Sequence, residues 1–171
     1  MRVDNVSRRK VLVVGGLASL GVPLGGFLWL PSAADGMNLL SYREMSTLAA
    51  LGEVFFPEGN AVGIAWQEMD LEREVDRLLS ETLSPRLVKP FRYLLRFVEY
   101  GTLAQTGKRF SSCSLATRER LIEDWGRPGS KLRHGGMSSL KSVLGMAYFN
   151  HPDVLNALGW RSMCAPKPGS V

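Results

Sequence analysis

Histidine and cysteine are scarce in this chain, with two of each in 171 residues. A protein metal site needs several such ligands clustered at fixed spacing. His134 and His151 stand seventeen residues apart, with no helical His/Glu pair. Both read as structural: His151, just before Pro152, as a helix cap, and His134 in a turn. The Cys-x-x-Cys-His run that holds a c-type haem is missing. So are the Gly-x-Ser-x-Gly nucleophile elbow and the glycine-rich phosphate loop. No alternating strand pattern, internal repeat or low-complexity domain interrupts the chain. No basic stripe interleaved with aromatics appears, which removes the usual footprint of nucleic-acid binding.

What is present begins at the N-terminus. Ser7, Arg8, Arg9, Lys10, Val11 and Leu12 lead into eighteen uncharged residues, 13–30. A basic stretch with a twin-arginine pair, then an apolar run, then small residues at Ser32, Ala33 and Ala34, is the layout of a bacterial twin-arginine export signal. Ser32 and Ala34 stand where a signal peptidase reads, and cleavage after Ala34 would leave a chain starting at Asp35. That route carries folded proteins, often cofactor enzymes or subunits that travel with them. Residues 11–30 are also long enough to span a bilayer as a retained anchor. A dinucleotide-binding reading of residues 10–16 fails. The fingerprint needs glycine at alternate positions, and Leu17 follows Gly15 and Gly16.

The formal charge is +5. Residues 1–34 hold Arg2, Arg8, Arg9 and Lys10 against Asp4, so most of that excess belongs to the leader. About 137 residues remain beyond it, enough for one domain with a real core. The expected organisation is a signal or membrane anchor over 1–34, a helical domain over 35–165 and a disordered tail over 166–171. Cys113 and Cys164 are a candidate pair. In an oxidising compartment they would close a loop of about fifty residues, worth roughly 2–4 kcal/mol. Two separate thiols are the alternative.

Helical periodicity dominates beyond the leader. Ser41 and Glu44 form a capping box before a helix with Met45, Leu48, Leu51 and Phe55 near one face, stopped by Pro57. A glycine-containing loop follows over 58–66. A second helix is predicted over 70–83, its acids Asp70, Glu72 and Glu74 favouring the helix dipole. Pro85 opens a third, which Pro90 either kinks or restarts, with Phe91, Leu94, Leu95 and Val98 in a stripe. Residues 115–125 form another, with Leu115, Leu121, Ile122 and Trp125 inward. The last long helix starts at Lys131 or Met137 and ends at Phe149. A short one begins at Pro152 and stops at Gly159. The fold class is all-α: a compact irregular bundle of about five to six helices after an N-terminal signal or anchor helix.

Candidate chemistry is thin. Glu53, beside Phe55, Phe56 and Pro57, is a carboxylate in apolar surroundings. It reads as a solvated or arginine-paired group before it reads as a catalytic acid with a raised pKa. Trp66, in the loop, and Trp160, after the last helix, are candidate partner anchors, with core filling the alternative for Trp66. Trp125, on its helix stripe, reads as core.

The order of several short segments resembles the gluconate 2-dehydrogenase subunit 3 family. They are residues 48–57, ending Phe55-Phe56-Pro57; residues 91–99; Phe110, Ser111, Leu115, Arg118 and Trp125; and Tyr148-Phe149-Asn150-His151-Pro152 with Leu158-Gly159-Trp160. The resemblance implies a small subunit without a cofactor of its own. It implies a large FAD-dependent partner of the glucose-methanol-choline (GMC) oxidoreductase family, exported as a passenger on this chain's leader. A cytochrome c subunit, the twin-arginine translocon and the inner membrane are further implied partners. The expectation is therefore a non-catalytic subunit that chaperones and co-exports a periplasmic sugar or alcohol oxidoreductase, in the periplasm or on the periplasmic face of the inner membrane. A stand-alone, membrane-tethered helical anchor or interaction module is the alternative, and an enzyme in its own right the third reading.

Overall fold

The computed structural model describes residues 30–127 and 131–160. The export-signal residues Ser7, Arg8, Arg9, Lys10 and Leu12, together with Cys164 and the tail 166–171, lie outside the described residues. The helical unit begins at Ser32. No strand is found among the described residues, and no helix among them is long and apolar enough to cross a membrane.

Helix α1, Tyr42–Phe55, is the centre of the bundle and packs against the helices over Leu71–Arg77, Pro85–Gly101 and Leu115–Gly126 and against a short 3-10 turn. Its capping box forms: Glu44 Oε2 accepts from the Ser41 amide at 2.8 Å and the Ser41 hydroxyl at 2.6 Å. Leu48 and Leu51 are fully buried, each contributing roughly 1.5–3 kcal/mol. The helix closes with the Phe56 amide bonded to Gly52 O at 2.8 Å. Pro57 then disfavours a helical conformation at the residue before it.

Helix α2, Leu71–Arg77, follows Asp70, which holds a left-handed φ of 50°. A π-helical turn, Leu78–Thr82, continues it and buries Leu78 and Leu79, while Thr82 is exposed. Helix α3, Pro85–Gly101, runs unbroken through Pro90. That proline cannot donate to the carbonyl of Arg86, but both residues are on the exposed side of the helix, where the loss is cheapest. Phe91, Leu95 and Val98 are buried as the stripe requires.

After the one-turn helix α4, Leu103–Thr106, and the 3-10 turn Phe110–Ser112 comes α5, Leu115–Gly126. Leu121, Ile122 and Trp125 face the core, but Leu115 is exposed, against expectation. It sits at the first position of the helix, one turn and more before the buried residues begin at Leu121. Helix α6, Lys131–Phe149, buries Met137, Leu140, Leu144 and Tyr148. It starts at the earlier of the two expected positions. His134 therefore lies within the helix, not in a turn, with Nδ1 3.2 Å from Gly126 O. Helix α7, Pro152–Ala157, begins at His151, whose Nδ1 accepts from the Asp153 amide at 3.3 Å. This is the cap expected from sequence. Gly159, at φ 67°, ends it.

Candidate functional site

Among the described residues the buried charges Glu44, Asp76, Arg92 and Glu99 are all engaged within the bundle. Glu44, 2% exposed, receives Arg92 of α3 through two nitrogens, Nε to Oε1 at 2.8 Å and Nη2 to Oε2 at 2.9 Å. Glu99, also on α3, accepts from Thr47 Oγ1 of α1 and from the amide and hydroxyl of Ser111. Glu53 is paired with Arg118 Nη1 of α5. The same guanidinium donates through Nε to Cys113 O at 2.9 Å. Glu53 is thus the arginine-paired carboxylate that the sequence favoured, and the structure supplies the partner. Asp76 of α2, 1% exposed, accepts three consecutive amides, those of Asn38, Leu39 and Leu40, at 2.7–2.9 Å.

Among the described residues no group of three His, Cys, Asp or Glu side chains could hold a metal ion. Burial raises the Glu72 carboxyl above its ordinary value; a backbone hydrogen bond opposes this and nearby Asp70 adds to it. Cys113 is buried, its thiol donating to Arg109 O at 3.3 Å. Its expected partner, Cys164, is outside the described residues.

The outer surface offers a different feature. Phe56 stacks on Tyr148 with ring centroids 4.0 Å apart and planes 2° from parallel. Phe149 meets both rings edge-on, at 6.4 Å from Phe56 and 5.1 Å from Tyr148. Tyr148 is buried, and its hydroxyl donates to Ile64 O at 2.6 Å, pinning the loop after α1. Burial raises the Tyr148 phenol above its ordinary value; the hydrogen bond with Asn60 opposes this and Glu68 adds to it. Phe149 is 47% exposed, and Met146, three residues earlier on the same helix face, is exposed as well. Leu158 and Trp160, at the end of α7, are exposed, Trp160 at 68%. The α6–α7 end thus carries large apolar side chains in water, the composition of an interface core.

The sequence model of the family described as gluconate 2-dehydrogenase subunit 3 matches residues 42–166. The chain belongs to that family. No curated protein and no solved structure matches it.

The match opens at the first residue of α1 and takes in every helix from α1 to α7. A subunit 3 chain is by its family's description one part of a dehydrogenase, so assembly with other subunits is what that description implies. The two tryptophans proposed from sequence stand differently in this subunit 3 fold. Trp160 is open to solvent. Trp66 is half-buried and lies flat on α1, where a Cβ on Gly52 would come within 2.9 Å of its Cγ. Trp125 is core, 5.6 Å from Phe97. Sequence reading missed Met146 and Phe149 as surface elements. For Phe149 the signal was there in the adjacent pair Tyr148-Phe149. Neighbours on a helix point about 100° apart, so an aromatic pair cannot bury both rings on one narrow face.

Proposed function

We propose that this chain is the non-catalytic small subunit that chaperones a large FAD-dependent oxidoreductase of the GMC class and carries it through the twin-arginine route. The observation that carries the reading is the family match over residues 42–166. The Arg8-Arg9 pair ahead of a charge-free run supports the export half. The internal pairing of Glu44, Glu53, Asp76 and Glu99 supports the non-catalytic half, since each carboxylate is already bonded within the bundle. FAD belongs to the partner, the working compartment is the periplasm or the periplasmic face of the inner membrane, and a cytochrome c subunit takes the electrons. The partner docks on the α6–α7 end through Phe149, Met146 and Trp160, with the exposed edge of Trp66 as a second contact.

The reading is tested by deleting this chain from its host. The flavoprotein should then stay in the cytoplasm, inactive or degraded, and return to the periplasm when the chain is restored. Replacing both Arg8 and Arg9 by Lys should retain both proteins in the cytoplasm. A flavoprotein exported and fully active without this chain would overturn it.

A further inference from the structure

The peptide bond that the sequence offers to a signal peptidase is built into the folded helical unit. Ala34 is 5% exposed, and its amide donates to Leu40 O at 2.8 Å while its carbonyl accepts from the Met37 amide at 3.0 Å. Gly36, at a left-handed φ of 78°, turns the chain back on itself inside this loop. The next residue, Asp35, accepts through Oδ2 from the Tyr42 hydroxyl at 3.1 Å. The far side of the loop is held by Asp76, whose buried carboxylate takes the amides of Asn38, Leu39 and Leu40. Leu40 is fully buried, and Ser41 is locked by Glu44.

A peptidase reads an extended stretch with small side chains at the last and third-last positions before the cut, here Ala34 and Ser32. Ser32 and Ala33 are exposed, but the Ala34 methyl is turned into the core. Straightening residues 34–40 breaks two backbone bonds and the three bonds to Asp76. Timing makes this matter. A chain threaded unfolded would meet the peptidase before this loop formed, whereas a chain moved by the twin-arginine route is already folded when it arrives.

We infer that the Ala34–Asp35 bond stays uncut in the folded protein, and that residues 1–34 remain attached as its membrane tether. The inference rests on the export half of the proposed function for its timing. It rests on residues 32–41 and 76 alone for the protection, and residues 11–30 supply the twenty-residue apolar run that would enter the bilayer.

Two measurements test it separately. First, the purified full-length chain in detergent is treated with a bacterial signal peptidase beside a synthetic peptide of residues 24–42. The peptide should be cut after Ala34 and the folded chain at least about a hundredfold more slowly, since cleavage of a folded loop follows the population of its open form. Asp76→Asn, which weakens the hold on residues 38–40, should speed cleavage of the folded chain while its far-UV circular dichroism stays helical. Equal rates for peptide and folded wild-type chain would overturn the protection. A peptide that resists cleavage would overturn it too, because folding would then shield nothing. Second, intact mass and carbonate extraction are measured on the protein from spheroplast membranes, with protease access to intact spheroplasts reporting export independently. A full leader and a carbonate-resistant chain are expected. An N-terminus beyond residue 30, or release by carbonate, would overturn the tether. Protein found only in the cytoplasm would overturn the export reading and with it the tether, while leaving the first measurement standing.

Discussion

Arg92 meets Glu44 with both carboxylate oxygens engaged, at 2.8 and 2.9 Å, inside the contact between α1 and α3. The same carboxylate caps α1 at Ser41. One buried side chain therefore starts the central helix and fastens it to its neighbour. Removing one member of a buried pair leaves the other charged and unmatched. Arg92→Met should cost about 3–5 kcal/mol, read as a lower urea midpoint at unchanged slope. A loss within the range of ordinary surface substitutions would show that the pair is not what joins the two helices.

Gly52 and Gly136 make a paired test of close approach. A Cβ on Gly52 would meet the rigid indole of Trp66 at 2.9 Å and Leu71 at 3.0 Å, so Gly52→Ala should destabilise by about 1–3 kcal/mol and shift tryptophan fluorescence. A Cβ on Gly136 meets only the Cδ1 tip of Leu94, also at 2.9 Å. That side chain can swing. The gain in helix propensity, about 0.8–1 kcal/mol, should bring Gly136→Ala close to neutral.

Tyr148→Phe removes the bond to Ile64 O but keeps the stack on Phe56. Ile64 O retains the Asn60 Nδ2 donor at 2.6 Å, so the expected cost is at the lower end of about 0.5–1.5 kcal/mol. The folded phenol titrates above its ordinary value of 10.0. The native state thus holds its proton where the unfolded chain has lost it, and stability should fall as pH rises from 10.0 through the folded value. Thermal unfolding against pH should show that fall in the wild type and less of it in Tyr148→Phe.

For the partner surface, Trp160→Ala and Met146→Ala should leave unfolding within about 0.5 kcal/mol of wild type, because both side chains are exposed. Affinity for the flavoprotein should drop roughly tenfold or more for at least one of them, measured by calorimetry with the purified large subunit. Trp66→Ala is a poor probe of the same surface. Its indole packs on Gly52, so its loss would disturb the bundle before it informed on the contact.

The helices were legible in sequence because their signals are local: the Ser41–Glu44 cap, Pro85 and Pro152 at helix starts, Gly159 at an end, and stripes such as Phe91, Leu95 and Val98. The start of α6 stayed open because Gly135 and Gly136 blur the pattern there. The π-helical turn at Leu78 and the exposure of Leu115 depend on what packs against those turns, which periodicity does not encode. The polar ties were illegible for a different reason. Asp76 and Asn38 are separated by 38 residues, and Glu53 and Arg118 by 65, and nothing along the chain tells one carboxylate from another.

The clasp of Asp76 on residues 38–40 also decides where mechanical load enters the molecule. A pull on the N-terminal end reaches the Ala34–Leu40 bond first, then the three bonds to Asp76, and is handed to α2 before it reaches Ser41. The cap of α1 lies behind that barrier. Tension from anything fixed to the first residues thus meets a loop and α2 before it reaches the cap of the central helix.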